Sequence, residues 1–427
     1  MKNHMYESKV LLGSIIKWIV YAILTGIIVG SSTTFFLKTL DFSIEKVHAL
    51  PFKYYLLLPL AFIISVFLVK TFAKDAEGHG TEKIIEAIHK KNGNMNIFIV
   101  PIKLLATIVT VSFGGSAGKE GPSAQIGAAI MSFISQKANL SKEDKKKLVI
   151  CGISAGFGAV FGTPIAGAIF AIEVLFIGTI LYEVLLPSFI SAIVALEIAK
   201  HFGVPHHDFH MTIPNGHNLL LYIQTIIAGL LFALIGLGFV SLLNRFEKVS
   251  DKYKSKPYTK ALIAGVVLVL VGFFISEKTL GLSTDIMYDV LSGDKVPWYI
   301  PLAKIFNTTL TLSFGGSGGI LTPIFVIGSS AGSLIGQIFN GDTAFFAGLG
   351  LVSLLAGTTN TPLAAIIMSI ELFGTQVTPF ASIASIISFI LIGHRSVYPT
   401  QILAIKKSTS LDIELGNEVH KTKIKRK

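Results

Sequence analysis

Long apolar runs recur along this chain from one end to the other, at 11–37, 54–72, 219–243, 261–275 and 383–392. Several approach the roughly 20 residues that a helix needs to cross a bilayer. Others are shorter and are interrupted by Gly and Pro. Only 14% of the residues are charged, against about 25% in soluble domains. A chain this poor in charge cannot cover a soluble surface, so lipid is its solvent and the expected class is an all-α membrane protein. The run beginning near Leu11 is too long for a signal-peptide core and no small-residue cleavage site follows it, so it reads as a retained membrane helix.

The formal net charge is +11. On a soluble fold that would suggest a nucleic-acid partner. Here much of the excess sits at the ends of apolar runs and in the tail Lys421, Lys423, Lys425, Arg426 and Lys427. Basic residues gather on the cytoplasmic side of membrane proteins, so the tail is expected in the cytoplasm, with Lys2 and Lys9 pointing the same way for the N-terminus. No nucleic-acid partner is expected. One cysteine, Cys151, excludes an internal disulfide and reads as a small packed residue.

The interior holds a repeat. Residues 112–123 read SFGGSAGKEGPS and residues 313–324 read SFGGSGGILTPI, identical at seven of twelve positions at a spacing of 201. A second pair follows in the same order. Residues 162–176 read GTPIAGAIFAIEVLF and residues 360–374 read NTPLAAIIMSIELFG, with their prolines 198 apart and Glu173 and Glu371 each nine residues after the proline. Two ordered pairs at nearly one spacing imply two homologous halves, 1–210 and 211–405, with 406–427 as a short basic cytoplasmic tail. Repeated halves are a transporter signature, and corresponding Gly/Pro-interrupted segments point to the ligand site.

Each glycine box runs into a proline, Pro122 or Pro323, and then an apolar helical pattern. Proline suits the first turn of a helix, where a missing N–H costs nothing. Helix N-termini carry free N–H groups and positive partial charge, so they attract anions. Pro164 and Pro362 open two further helices, and several such starts converging would form an anion site with no full positive charge, weak enough to release a halide. Glu120, inside GKEGP, is ionisable within an apolar region and is therefore a functional candidate. Its carboxylate can occupy an anion site and leave when protonated, acting as gate and proton carrier. Gly328, Gly332 and Gly336 recur every four residues, a spacing that lets helices approach closely.

These residues resemble the CLC family of chloride channels and chloride/proton antiporters, in its prokaryotic form without a C-terminal regulatory domain. The G-R/K-E-G-P box stands here as Gly118-Lys119-Glu120-Gly121-Pro122. The G-x-F-x-P box stands as Gly319-Ile320-Leu321-Thr322-Pro323, with Leu for Phe. The early G-S-G-I-P box is matched by Gly78-His79-Gly80-Thr81-Glu82, which lacks the proline and has His at the serine position. Tyr398, in GHRSVYP, matches a late tyrosine that touches the ion. The resemblance covers about residues 15–405 and implies an inverted-repeat helical bundle with broken and re-entrant helices, multi-pass in the cell membrane and homodimeric. It implies an anion path bounded by the backbone around Lys119, Glu120 and Gly121, by that of Ile320, Leu321 and Thr322, and by His79 and the Tyr398 hydroxyl. Glu120 is implied as the gate, chloride or another small anion as the ligand, and protons as a second one in exchangers. No cofactor is implied.

Two departures matter. Exchangers of the family often carry an internal proton glutamate as the second acid of an Ile-Glu-Glu motif. Here Ile172-Glu173-Val174 puts Val174 at that position, while Glu120 is intact, so channel and exchanger both stay open. The altered GHGTE and GILTP boxes lie where a fluoride-exporting branch also departs, which makes a fluoride/proton antiporter the alternative to chloride transport. His79 would add a titratable donor beside the path.

Other constellations carry less. His206, His207, Asp208 and His210 fit no closed zinc spacing, and no metal is expected. The stretch KEDKKK at 142–147 reads as a solvated loop. Glu173 and Glu371 read as buried structural acids at helix ends. An intramembrane protease would need a nucleophile with a base, or a zinc-binding H-E-x-x-H, which the chain lacks, so no enzyme is expected.

Overall fold

The computed structural model of the chain describes residues 2–206, 209, 211, 213, 218–422 and 425–426. The described residues form sixteen α-helices. The first eight are α1 (Lys2–His48), α2 (Leu58–Phe72), α3 (Thr81–Lys90), α4 (Ile99–Ser112), α5 (Glu120–Lys137), α6 (Lys142–Phe161), α7 (Pro164–Glu173) and α8 (Leu185–His201). The next eight are α9 (Leu219–Lys252), α10 (Pro257–Phe274), α11 (Thr284–Leu291), α12 (Tyr299–Ser313), α13 (Leu321–Ile338), α14 (Thr343–Thr359), α15 (Pro362–Phe373) and α16 (Thr378–Ile392). Short strand pairs close the chain: β1 (Phe176–Ile177) lies parallel to β2 (Ile402–Leu403), and β3 (Leu411–Asp412) antiparallel to β4 (Lys425–Arg426).

Among the described residues, six helical segments are long and apolar enough to cross a membrane. They differ in what covers them. The apolar stretch of α1 is 28% buried within the protein, so its Leu and Ile side chains face lipid, whereas that of α13 is 83% buried and forms the interior. Helices such as α7 and α15, at ten and twelve residues, are too short to span. Their free ends therefore lie inside the protein, where unpaired backbone groups must find partners.

Those partners come in matched pairs across the chain. The Ser116 N–H donates to Thr311 Oγ1 at 3.0 Å, and the Ser317 N–H donates to Thr110 Oγ1 at 3.0 Å. The hydroxyls of Ser116 and Thr308 lie 2.9 Å apart, and those of Thr107 and Ser317 3.4 Å apart. Lys103 and Lys304 are both fully buried. The Lys103 ammonium donates to the carbonyls of Ala76 and Gly78; that of Lys304 donates to the carbonyls of Gly281 and Leu282 and to the Ser283 hydroxyl. Each lysine fastens the loop that leads into a short helix, α3 or α11. An ammonium costs several kcal/mol to desolvate unless it is paired or hydrogen-bonded, and these carbonyls supply the bonds.

The small-residue stripe does what its spacing implies. A Cβ on Gly328 would collide with the Gly350 carbonyl, and one on Gly332 with the Phe346 carbonyl, so α13 and α14 meet backbone to backbone. Residues 142–147 correct the loop expectation. They form the first turns of α6, capped by the Ser141 hydroxyl, which accepts from the Asp144 N–H at 3.1 Å. Ser-x-x-Asp is a helix-start pattern, and the charges lie on the exposed and half-buried first turns of a true helix.

Candidate functional site: a carboxylate at the meeting of helix starts

The two glycine boxes meet directly. Gly118 and Gly319 exchange backbone hydrogen bonds at 2.7 and 2.6 Å. Lys119 and Ile320 then cap α5 and α13. The first helical residues, Glu120 and Gly121 on one side and Leu321 and Thr322 on the other, face each other with first-turn amides that have no intrahelical acceptor. Close approach requires glycine here. A Cβ on Gly121 would strike the His79 carbonyl, and one on Gly319 would lie 2.8 Å from the Gly121 nitrogen.

Glu120 is 3% exposed. Its carboxylate accepts the Thr322 N–H at 3.1 Å and the Thr322 hydroxyl at 2.5 Å. The side chain thus occupies the free first-turn donors at the start of α13. The Thr322 hydroxyl is the contact that sequence reasoning missed: the residue was singled out for its backbone alone. Beyond Glu120, a cavity of about 70 Å³ is bordered by Lys119, Phe161, His206 and Thr322.

On the opposite side of Gly121 stand His79, Thr81 and Tyr398. Gly80, at φ +85, turns the chain into α3, so a third helix start joins the other two. The His79 ring lies 5.4 Å from the Tyr398 ring, and both residues are buried. The Thr81 hydroxyl faces the Tyr398 phenol. Among the described residues the two hydroxyls have no partner beyond each other, and the His79 ring nitrogens have none but the Glu82 carboxylate, 3.3 Å from Nε2. Tyr398 is held from behind by the Ser396 hydroxyl, which accepts its N–H at 2.9 Å, and Ser396 in turn donates to Gln401 at 2.6 Å.

Two expected contributors are absent from this meeting point. The start of α7 is taken by Glu371, whose carboxylate accepts the N–H groups of Ile165 and Ala166 at 3.0 and 2.7 Å. The start of α15 is taken by Glu173, which accepts from Leu363 and Ala364 at 3.1 and 2.9 Å. A carboxylate saturates the charge and the donors of a helix start, so Pro164 and Pro362 open helices that hold each other rather than an ion. Val174 is fully buried, and its carbonyl accepts from Gln401. Of the histidine cluster, His207, Asp208 and His210 lie outside the described residues; His206 Nε2 lies 3.0 Å from the Ala159 carbonyl.

Residues 60–393 match the profile of the voltage-gated chloride channel family. The chain is 33% identical over 398 residues, 92% of its length and 87% of the relative's, to a chloride/fluoride channel protein of Pseudomonas syringae pv. tomato. It is 26% identical to the H(+)/Cl(-) exchange transporter ClcA of Salmonella agona, covering 74% of this chain and 72% of that one. Among solved structures, a CLC-type fluoride/proton antiporter superposes with a TM-score of 0.86 at 28% identity, covering 91% of this chain and 98% of that one. A slow cyanobacterial Cl-/H+ antiporter shares the fold at 0.76 and 20% identity. Crossed helix starts around a buried carboxylate, on a bundle of lipid-facing and interior helices, agree with these matches, and the chain is a multi-pass membrane protein that belongs to the voltage-gated chloride channel family, the CLC family.

Proposed function

We propose that this chain exchanges a small halide, fluoride in preference to chloride, against protons across the cell membrane, with Glu120 as both gate and proton carrier. The observation that carries the reading is the group of buried donors beside the Glu120 crossing: the Thr81 and Tyr398 hydroxyls, which face each other, and the His79 ring, whose Nδ1 has no hydrogen-bond partner among the described residues. Buried polar groups are nearly always satisfied, and leaving one unpaired costs about 1–3 kcal/mol. An anion that accepts from all three offsets that cost. Fluoride, the smallest halide and the strongest acceptor, gains most from hydroxyl and imidazole donors, and a fluoride/proton antiporter is among the structures this chain resembles.

Anionic Glu120 occupies the upper position and blocks it. Protonation removes the charge that the Thr322 amide and hydroxyl bind, the side chain leaves, and the anion takes its place. Lys119, Gly121, Ile320, Leu321 and Thr322 supply backbone to that position. Residues 1–210 and 211–405 act as the repeat halves, supported by bonds that recur at offsets of 201 and 198. The functional unit in this reading is a homodimer with one path per subunit.

The test is flux from liposomes holding the purified protein, with fluoride, chloride and internal pH recorded together. A fluoride gradient should drive uphill proton movement, and Glu120→Gln should abolish it. Chloride movement with no proton movement would replace the exchanger reading with a channel.

A further inference from the structure

A proton that reaches Glu120 from the tail side must cross the buried layer around Gly121, and α7 offers no acid for the crossing. Val174 is apolar and fully buried, and both oxygens of Glu173 are engaged by the start of α15. The structure points to a different pair. His79 is 4% exposed, its carbonyl packs directly under Gly121, and its ring lies beside Tyr398. Its Nε2 stands 3.3 Å from Glu82 Oε2, out of line for a full hydrogen bond, and the Glu82 side chain is 24% exposed. The pair therefore joins the buried side of the path to water. That water is on the face where the C-terminal tail packs: the Thr400 hydroxyl donates to the Glu82 carbonyl and Lys90 pairs with Glu418 at 2.7 Å.

We propose that His79 and Glu82 form the inner proton port of this chain, taking the place of the carboxylate that Val174 lacks. This rests on the exchanger reading above. A proton from tail-side water passes by way of Glu82 to the imidazole nitrogen, giving imidazolium. The imidazolium then gives its proton to the Glu120 carboxylate once that side chain swings toward it, leaving neutral imidazole and neutral glutamic acid. Glu120 releases the proton on the opposite face and returns as the anion. No charge is left over, and no other reactant is required.

The surrounding charges shape the port. Glu82 is acted on by His79, which lies just before the start of α3, by Lys83 and by His420 of the tail. Glu247, at the end of α9, interacts with both His79 and Glu82, and Tyr398 interacts with Glu82 and Glu120. Burial opposes ionisation of Glu82, but His79 and Lys83 more than offset it and hold the carboxyl below its ordinary range. An ionised Glu82 stabilises imidazolium, and so does an ionised Glu247.

The experiment measures proton and anion flux together in liposomes holding the full chain, with fluoride and in parallel with chloride. His79→Asn, which keeps a hydrogen-bond donor for the anion, should lower the proton-to-anion ratio at least about tenfold, as loss of a positioned acid–base group does. Glu82→Gln should lower the same ratio while anion flux persists, because imidazolium loses its counter-charge. A ratio matching wild type in both variants overturns the port. If wild type moves fluoride or chloride with no protons, the exchanger reading itself falls and the port with it. Glu82, being partly exposed, keeps the test usable should His79→Asn fail to fold.

Discussion

Glu120 and Thr322 lie 202 residues apart and bond twice: the Thr322 hydroxyl and its N–H both donate to one carboxylate, at 2.5 and 3.1 Å. The gate is thus clasped by the opposite glycine box. Thr322→Val removes the hydroxyl and keeps the shape. Leaving a buried carboxylate one donor short costs about 1–3 kcal/mol, which frees the side chain from its blocking position. Anion efflux at neutral pH should rise relative to wild type, roughly tenfold or more. An unchanged rate would mean that the amide alone holds the gate.

Glu173 and Glu371 hold the starts of each other's helices. Each accepts two backbone N–H groups near a helix dipole, so Glu173→Gln or Glu371→Gln should each lower stability by about 1–2 kcal/mol. The double variant should fall short of the sum, because each contact fixes the α7–α15 geometry that the other uses. Thermal unfolding in detergent reads both effects, and strict additivity would show that the two contacts are independent.

Gly121→Ala should abolish transport and much of the folded yield, since its Cβ would collide with the His79 carbonyl, which is backbone and cannot swing away. Gly13→Ala is the control. Nothing lies within 4 Å of a Cβ there, and in a helix the change is worth up to about 1 kcal/mol in favour of folding. Yield and flux of the two variants, measured side by side, separate a packing requirement from a general intolerance of alanine.

The tail should loosen in acid. Burial pushes the Glu418 carboxyl up, but the ammonium groups of Lys421 and Lys90 outweigh it and hold it below the usual range. A lowered folded pKa gives stability that is complete above the unfolded value of about 4.3 and is lost as pH falls through the folded one. The partners are exposed, so the contribution is about 1 kcal/mol at most. A fluorophore on Ser410→Cys should show anisotropy falling below about pH 4, and Glu418→Gln should show the low value at every pH.

Tyr398→Phe tests the anion position. It removes one donor and keeps the ring against His79, so halide affinity should weaken by about 0.5–1.5 kcal/mol, roughly two- to tenfold. Isothermal titration of the detergent-solubilised protein with fluoride and chloride measures it, and unchanged affinity would place the anion away from the phenol.

The amino-acid sequence by itself determined the solvent, the helical class and the meeting of two glycine boxes. Charge scarcity, apolar length and a repeated SFGGS motif act locally, and each has one physical consequence in lipid. It also marked Glu120, because an acid between apolar runs stands out whatever its neighbours. The same patterns misread residues 142–147, where a cap pattern outweighs a run of charge, and they treated every proline-led helix start as open to an anion. Only the tertiary structure decided which starts are free. Glu173 reaches α15 and Glu371 reaches α7 across about two hundred residues, and no local signal tells a carboxylate which helix it will cap. For the same reason Thr322 stands out in the sequence for its backbone alone, and Glu82 only as the last residue of the GHGTE box. Their roles arise from what stands opposite them, and that is fixed only when the two halves pack with glycines at the contact.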